Sequence, residues 1–238
     1  MSEDSIKIHR GLVGVYFDRT KTTFINGKEG VLEYCGYSIH DLAENSTFEE
    51  TSYLLLNGKL PNQSELEQFN NNLIKSRSIP SEILDIIRSI KDGHPMDVLR
   101  TSVSALSAFD DDAEDKSYEA TMRKGIRLTS QVPTIVMAHN AIRNNKEPIE
   151  PSKTLSHAAN FLYMLNGETP SESASKLMDK DFIVHADHGS NASAFAARVS
   201  AGTQADLHSA ITAGIAVLSG PSHGGAAENV MKMVKEVG

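Results

Sequence analysis

Helix-start and helix-stop signals recur along most of the chain, and they constrain its fold more than any other feature of the sequence. Thr47 is followed three residues later by Glu50, which is the spacing of a capping box, and Gly58 stands where a helix commonly ends. The segments that begin at Pro80 and Pro95 then place apolar residues three and four positions apart, as the buried face of a helix requires. These signals predict a mainly α-helical fold.

Helical spacing continues toward the end of the chain. Residues 118–143 are predicted to form one long helix with a kink or break at Pro133. Two later helices, at about 192–200 and 207–218, are rich in Ala, Gly and Ser, and the second carries few charges on any face. A helix that is apolar all round belongs inside a bundle or at a large interface. The acidic run 110–112 predicts a solvated loop without a function.

The segment 11–34 is the most strand-like part of the sequence. It is rich in β-branched and aromatic residues, and Asn26-Gly27 favours a turn, so we expect short strands or a small hairpin there. The sequence shows no repeat and no clear linker. The predicted fold is therefore a mainly α, multi-helix domain with a short β element near the N-terminus.

Charge and cysteine content exclude several classes of protein. The net charge of −8 disfavours broad binding of nucleic acid or of an anionic membrane, which both need a basic face, so neither is an expected partner. Cys35 is the single cysteine, which rules out an intrachain disulfide, and the apolar runs are too short to span a bilayer. Because the N-terminal residues also lack the apolar stretch of a signal peptide, the sequence predicts a cytoplasmic protein.

Polar side chains crowd together in the stretch "HADHGSN", which contains His185, Asp187 and His188. One interpretation is a polar helix start that is capped by a residue of 190–191. A second is a small-molecule pocket, in which a carboxylate or keto group is bound near a helix N-terminus. A third joins these residues with His223 as metal ligands, although their spacing matches no common metal motif.

His223 stands in the stretch "GPSHGGAAENV", between Gly-Pro and two further glycines. Glycines at 224–225 allow the backbone to approach something closely, and an amphipathic helix is predicted to follow. The partial positive charge of a helix N-terminus favours a neutral imidazole, which can donate an N–H to a carbonyl oxygen that gains negative charge during a reaction. The alternative is a histidine that only caps the helix.

Six stretches, in this order along the chain, resemble the citrate synthase family, particularly its shorter archaeal and bacterial forms. They are "GLVGVYFDRT", "GVLEYCGYSIHDLA", "FEETSYLLLNGKLP", "HPMDVLRTSVSAL", "HADHGSNASAFAARV" and "GPSHGGAAENV". The resemblance implies a mainly helical subunit that acts as a homodimer. It also implies an acyltransferase that condenses acetyl-CoA with oxaloacetate and water, giving citrate and CoA.

The same resemblance assigns roles to two histidines. His223 matches the catalytic histidine that donates a hydrogen bond to the thioester oxygen of acetyl-CoA, and His188 matches a histidine that binds the substrate oxaloacetate. It implies no metal and no cofactor, since acetyl-CoA is a substrate. Two positions depart from the family pattern: Cys35 replaces a usual arginine, and Ser222, beside His223, replaces a larger apolar residue.

The family pattern extends beyond residue 238, with a second catalytic histidine, a proton-abstracting aspartate and most contacts to CoA. No copy of those motifs occurs in this sequence, so residues 1–238 are expected to hold most of the large helical domain, without the small CoA-binding domain. We expect negligible synthase activity from such a chain alone. Two alternatives remain open: a 2-methylcitrate synthase that uses propionyl-CoA, and an inactive helical dimerisation module.

Overall fold

A computed structural model describes residue 9, residues 14–16 and residues 18–237. Near its start lies an antiparallel sheet of three strands, β1 (Thr23–Asn26), β2 (Val31–Tyr34) and β3 (Tyr37–Ser38). Cys35 and Gly36 join β2 to β3 with φ angles of 50° and 87°, as a two-residue turn between twisted strands requires. The predicted hairpin at Asn26-Gly27 is confirmed, while the strand-like residues 11–13 and 17 lie outside the described residues.

Helices occupy most of the described residues, which confirms the predicted fold class. They are α1 (Ile39–Asn45), α2 (Phe48–Asn57), α3 (Gln63–Lys75), α4 (Ser81–Ser89), α5 (Pro95–Leu106), α6 (Tyr118–Arg143), α7 (His157–Asn166), α8 (Glu172–His185), α9 (Ala192–Gly202), α10 (Leu207–Leu218) and α11 (Gly224–Val237), with a 3₁₀ turn at Ser107–Phe109. Within the described residues, each helix is too short or too polar to cross a membrane.

The helix boundaries follow the predicted signals. Thr47 Oγ1 accepts the backbone N–H of Glu50 at 3.2 Å, and the Glu50 carboxylate accepts that of Thr47 at 2.8 Å, so the capping box forms. Gly58 ends α2 in the left-handed conformation. The predicted break at Pro133 is wrong, because α6 continues to Arg143 and buries Ile135 in the core beyond the proline.

The larger core cluster lies between α4, α5, α6 and α10. Its buried members are Ile83, Ile87, Val98, Val103, Leu106, Leu128, Ile135, Ala138, Ile142 and Ile215. The small residues of α10 allow it to pack against α9 on one side and α5 on the other, as predicted for a helix inside a bundle. The cluster therefore positions α10, which leads directly to the turn that carries His223.

A second cluster joins the sheet to the helices. Tyr34 of β2, Leu42 of α1, Leu54 of α2 and Ile183 of α8 are all buried and pack together. This cluster ties the end of α8, and hence the loop that contains His188, to the N-terminal hairpin.

The acidic run was predicted to be a solvated loop, and the structure corrects this. The Asp110 side chain is only 7% exposed, receives a two-point contact from Arg127 and lies 3.4 Å from Nε2 of the buried His208. Hydrogen bonds from Arg123 and Arg127 hold the pKa of Asp112 well below its ordinary value. The run therefore links the end of α5 to α6, because two arginines on α6 face it one turn apart.

Candidate functional site

The loop that carries His188 is held by the phenol of Tyr34. The Tyr34 hydroxyl donates to the backbone carbonyl of Asp187 at 2.9 Å and accepts the backbone N–H of the same residue at 3.1 Å. The Asp187 carboxylate accepts the Thr23 hydroxyl and, at 3.2 Å, the backbone N–H of Gly189. The Asp187 carboxylate is therefore occupied by hydrogen bonds that hold the loop against the sheet.

The structure separates the polar residues that the sequence placed together. His185 ends α8, and its Nδ1 lies 2.8 Å from the backbone carbonyl of Asp181 on the same helix. Asn191 caps α9 by accepting the backbone N–H of Ala194 at 2.9 Å, so the capping interpretation is correct for this residue. His188 is exposed, and its ring forms no hydrogen bond within the part of the chain that the structure describes.

The metal interpretation needs His185, Asp187, His188 and His223 to converge. Among the described residues, no three histidine, cysteine or acidic side chains are arranged to hold a metal ion. His185 is bonded to its own helix, and Asp187 is bonded to Thr23 and the loop. The metal interpretation is therefore unsupported among the described residues.

His223 lies in a tight turn between α10 and α11. Its backbone N–H and that of Gly225 both donate to the carbonyl of Gly220, at 3.0 and 3.2 Å. A Cβ on Gly224 would stand 2.5 Å from the carbonyl oxygen of Leu218, so this position excludes any side chain. The predicted close approach at the two glycines is confirmed, and the group that is approached is the backbone of the turn itself.

The imidazole of His223 is half-buried against the first turn of α9. Its Nε2 lies 2.9 Å from Oγ of Ser193, within hydrogen-bond distance. Gly214 of α10 faces the backbone of Ser193 so closely that a Cβ at this glycine would stand 3.4 Å from the Ser193 carbonyl oxygen. Close packing of α9 on α10 thus places the hydroxyl under the imidazole.

Both candidate histidines therefore lie near the N-terminal end of α9. His223 reaches it through Ser193, and His188 precedes the capping residue Asn191 by three positions in the chain. Among the described residues, no contact joins the two histidines directly. Sequence patterns did not point to Ser193, because the small residues of α9 and α10 indicate close packing without showing which helix is the neighbour.

The arrangement of helices is similar to that of solved citrate synthases. The enzyme from Pyrobaculum aerophilum superposes with a TM-score of 0.93 at 40% identity, over 97% of this chain and 60% of that one. A ternary complex of the Thermoplasma acidophilum enzyme with carboxymethyl coenzyme A and oxaloacetate gives 0.90 at 29% identity, over 97% and 61%. The fold thus defines a protein of the citrate synthase class.

Sequence comparison identifies the family. The model of the citrate synthase C-terminal domain matches residues 11–238. A citrate synthase from Haloferax volcanii is 44% identical over 236 residues, 97% of this chain and 62% of that protein. A 2-methylcitrate synthase from Mycobacterium tuberculosis H37Rv is 39% identical over 232 residues, 97% and 58%. The chain belongs to the citrate synthase family, and it spans about three fifths of the length of these curated relatives.

Proposed function

We propose that this chain contributes to a citrate synthase, which condenses acetyl-CoA with oxaloacetate and water and releases citrate and CoA. The observation that carries the proposal is the contact between His223, just before α11, and Ser193, in the first turn of α9. Membership of the citrate synthase family supports it. The reaction needs no separate cofactor, because the acyl group arrives on a substrate.

His223 has the geometry of a preorganised hydrogen-bond donor. When the Ser193 hydroxyl donates to Nε2, that nitrogen is the acceptor, and the neutral ring carries its proton on Nδ1. Nδ1–H then donates to the thioester oxygen of acetyl-CoA, which gains negative charge as the methyl group loses a proton and the enol forms. A donor that is already oriented stabilises that charge without reorganisation. Ser193 is in this proposal a positioning residue.

His188 is proposed to bind oxaloacetate. Its ring is exposed and lies on a loop that Tyr34 and Thr23 hold in place. The N-terminal end of α9, just beyond the loop, favours an anionic ligand because the helix dipole is positive there. An exposed imidazole on an anchored loop is available to a dicarboxylate ligand, whereas a purely structural histidine would be bonded to the protein.

Calorimetric titration of the chain with oxaloacetate tests this assignment. We expect binding that weakens by about tenfold or more in His188→Ala, since a hydrogen bond to a charged ligand is lost. His40→Ala is the matched control, because His40 is also exposed but lies on α1. Equal affinity in both variants, or none in the parent chain, would contradict the proposal.

The same titration separates the enzyme from a non-catalytic dimerisation module. Such a module forms a dimer in sedimentation equilibrium and shows no affinity for oxaloacetate. The resemblance implies a homodimer for the enzyme as well, so ligand binding, and not the dimer, distinguishes the two. A large apolar groove of about 580 Å³ supports self-association, and it is lined among others by Leu128, Val132, Phe161, Phe182 and Ile211.

A 2-methylcitrate synthase is the second candidate, because one of the relatives above carries that name. The two reactions differ by one methylene in the acyl donor, which an apolar pocket discriminates by about 1–3 kcal/mol. Titrations of a full-length version of the enzyme with acetyl-CoA and propionyl-CoA, in the presence of oxaloacetate, compare the two donors. Binding of propionyl-CoA that is tighter by about tenfold would favour the second candidate, and the reverse would favour citrate synthase.

A further inference from the structure

His94 caps α5 and also reaches across to α11. Its Nδ1 accepts the backbone N–H of Met96 at 3.2 Å, which satisfies the helix start. Its Nε2 lies 3.3 Å from Oε2 of Glu228, in the second turn of α11. One imidazole therefore joins two helices through residues that are 134 positions apart in the chain.

The cap determines which nitrogen carries the proton. A nitrogen that accepts a backbone N–H has no proton of its own, so the neutral ring of His94 must be protonated at Nε2. That N–H points toward the carboxylate of Glu228. Because the cap already orients the ring, little side-chain freedom is lost when the second bond forms.

Few other interactions hold α11 on the helical body. Its apolar residues Val230, Met233 and Val234 are each more than half exposed. Among the described residues, the side-chain hydrogen bond from α11 to another helix is the His94–Glu228 contact, and the Ser193–His223 contact lies one residue before the helix starts. The other oxygen of Glu228 pairs with Lys232 one turn along α11, and that pair fixes nothing outside the helix.

We propose that His94 and Glu228 form a polar latch that positions α11 on the start of α5, and that His94 thereby acts as a positioning residue for His223. His223 immediately precedes α11, so the orientation of this helix decides where the imidazole lies. A hydrogen bond between exposed side chains contributes little to global stability. It can still fix the position of a helix whose apolar side chains are largely exposed. The role for His223 rests on the proposed function, whereas the latch itself does not.

Two variants break the latch in different ways. His94→Asn keeps an N-cap, because asparagine also accepts the N–H at this position, but its side chain is too short to reach Glu228. Glu228→Ala leaves α5 untouched and removes the oxygen that accepts Nε2–H, whereas a glutamine there would still accept it. Lys232→Gln is the matched control, since it breaks the pair within α11 and leaves His94–Glu228 in place.

Amide hydrogen exchange of α11 in the whole chain is the first measurement. We expect protection to fall by about two- to fivefold in His94→Asn and in Glu228→Ala, with no fall of that size in Lys232→Gln. An equal fall in the control, or free exchange of α11 in the parent chain, would overturn the latch. Unchanged protection of α5 shows that His94→Asn keeps the cap. If His94→Asn fails to fold, Glu228→Ala gives the same test.

Nitrogen-15 spectra of the histidine rings give a second measurement that a general loss of stability would not move. His94 should show Nε2–H, and its Nδ1–H form would overturn the proposal. The His223 resonances in both latch variants should shift toward those of Ser193→Ala, in which the hydroxyl contact is absent. His223 resonances that stay at their parent positions would remove the positioning role. The oxaloacetate titration tests the proposed function separately, because it does not report on this latch.

Discussion

Helices α4 and α11 have the same kind of amphipathic pattern and very different surroundings. In α4, Ile83 and Ile87 are fully buried between α5 and α6. In α11, Val230 and Val234 are spaced in the same way and are 55% and 54% exposed. The spacing of apolar residues thus determines that a helix has an apolar face, and packing against other elements determines whether that face leaves water.

The difference matters for the site because His223 adjoins the exposed helix. Helices of the body are positioned by buried side chains, so a substitution there changes global stability. The position of α11 depends on a tight glycine turn and on two polar contacts. Substitutions at those points should therefore change the position of the His223 ring, beside any change in the free energy of unfolding.

The largest expected effect is the removal of buried apolar volume from α4. Ile87→Ala should lower the free energy of unfolding by about 2–5 kcal/mol, since the side chain is fully buried and leaves a cavity. Val234→Ala, the matched change in α11, should change it by less than about 0.5 kcal/mol. Urea unfolding measures both, and comparable losses would show that α11 is packed as closely as α4.

A second effect concerns a half-buried carboxylate where α8 meets α2. Asp179 accepts the backbone N–H of Phe48 at 3.2 Å, and burial first, with Glu49 second, raises its pKa to about 6. In the unfolded chain the pKa of an aspartate is about 3.9. The ionisation of Asp179 therefore lowers the free energy of unfolding between about pH 4 and pH 6, has no effect below that range and has its full effect above it.

Asp179→Asn should therefore be more stable than the parent at pH 7.5, by at most about 3 kcal/mol, and equally stable near pH 4. Urea unfolding at several pH values follows the difference. The variant is its own control, because a gain that does not depend on pH would have a cause other than the pKa of Asp179.

The glycine turn gives a smaller effect on stability with a direct consequence for the site. Gly224→Ala brings a Cβ against the carbonyl of Leu218, so we expect a loss of about 1–3 kcal/mol and a shift of the His223 ring resonances. Gly202→Ala is the control, because Gly202 belongs to α9 and a Cβ there meets nothing within 4 Å. That change should raise stability by about 0.4–1 kcal/mol. A loss in the control would show that glycine is needed at both positions for another reason.

Local signals predicted the helices well because each depends on a few neighbouring residues. The capping box of Thr47 and the glycine stop at Gly58 both form as expected. Of the kink or break predicted at Pro133, the break does not occur, because the propensity of one residue is outweighed by the buried side chains on either side of it. The acidic residues at 110–112 were also misjudged, since their partners Arg123 and Arg127 come from a later helix and are invisible to local pattern.

The residues of the candidate site also fall into two groups, those that local sequence patterns indicated and those that only long-range contacts reveal. His223 and its glycines could be singled out from sequence, because a histidine between Gly-Pro and Gly-Gly has few structural reasons to be there. Ser193 and His94 could not, since serine in a helix and histidine before proline are common in structural roles. Their importance comes from residues 30 and 134 positions away.

The amino-acid sequence alone determined the helical class, the boundaries of most helices, the family resemblance and the two histidines, because these depend on residue type and short-range spacing. Tertiary structure decided which polar residues meet: it split His185 and Asp187 from His188, and it brought Ser193 to His223 and His94 to Glu228. The physical reason is that a side-chain contact depends on how helices pack, and packing is set by the shape of the whole core.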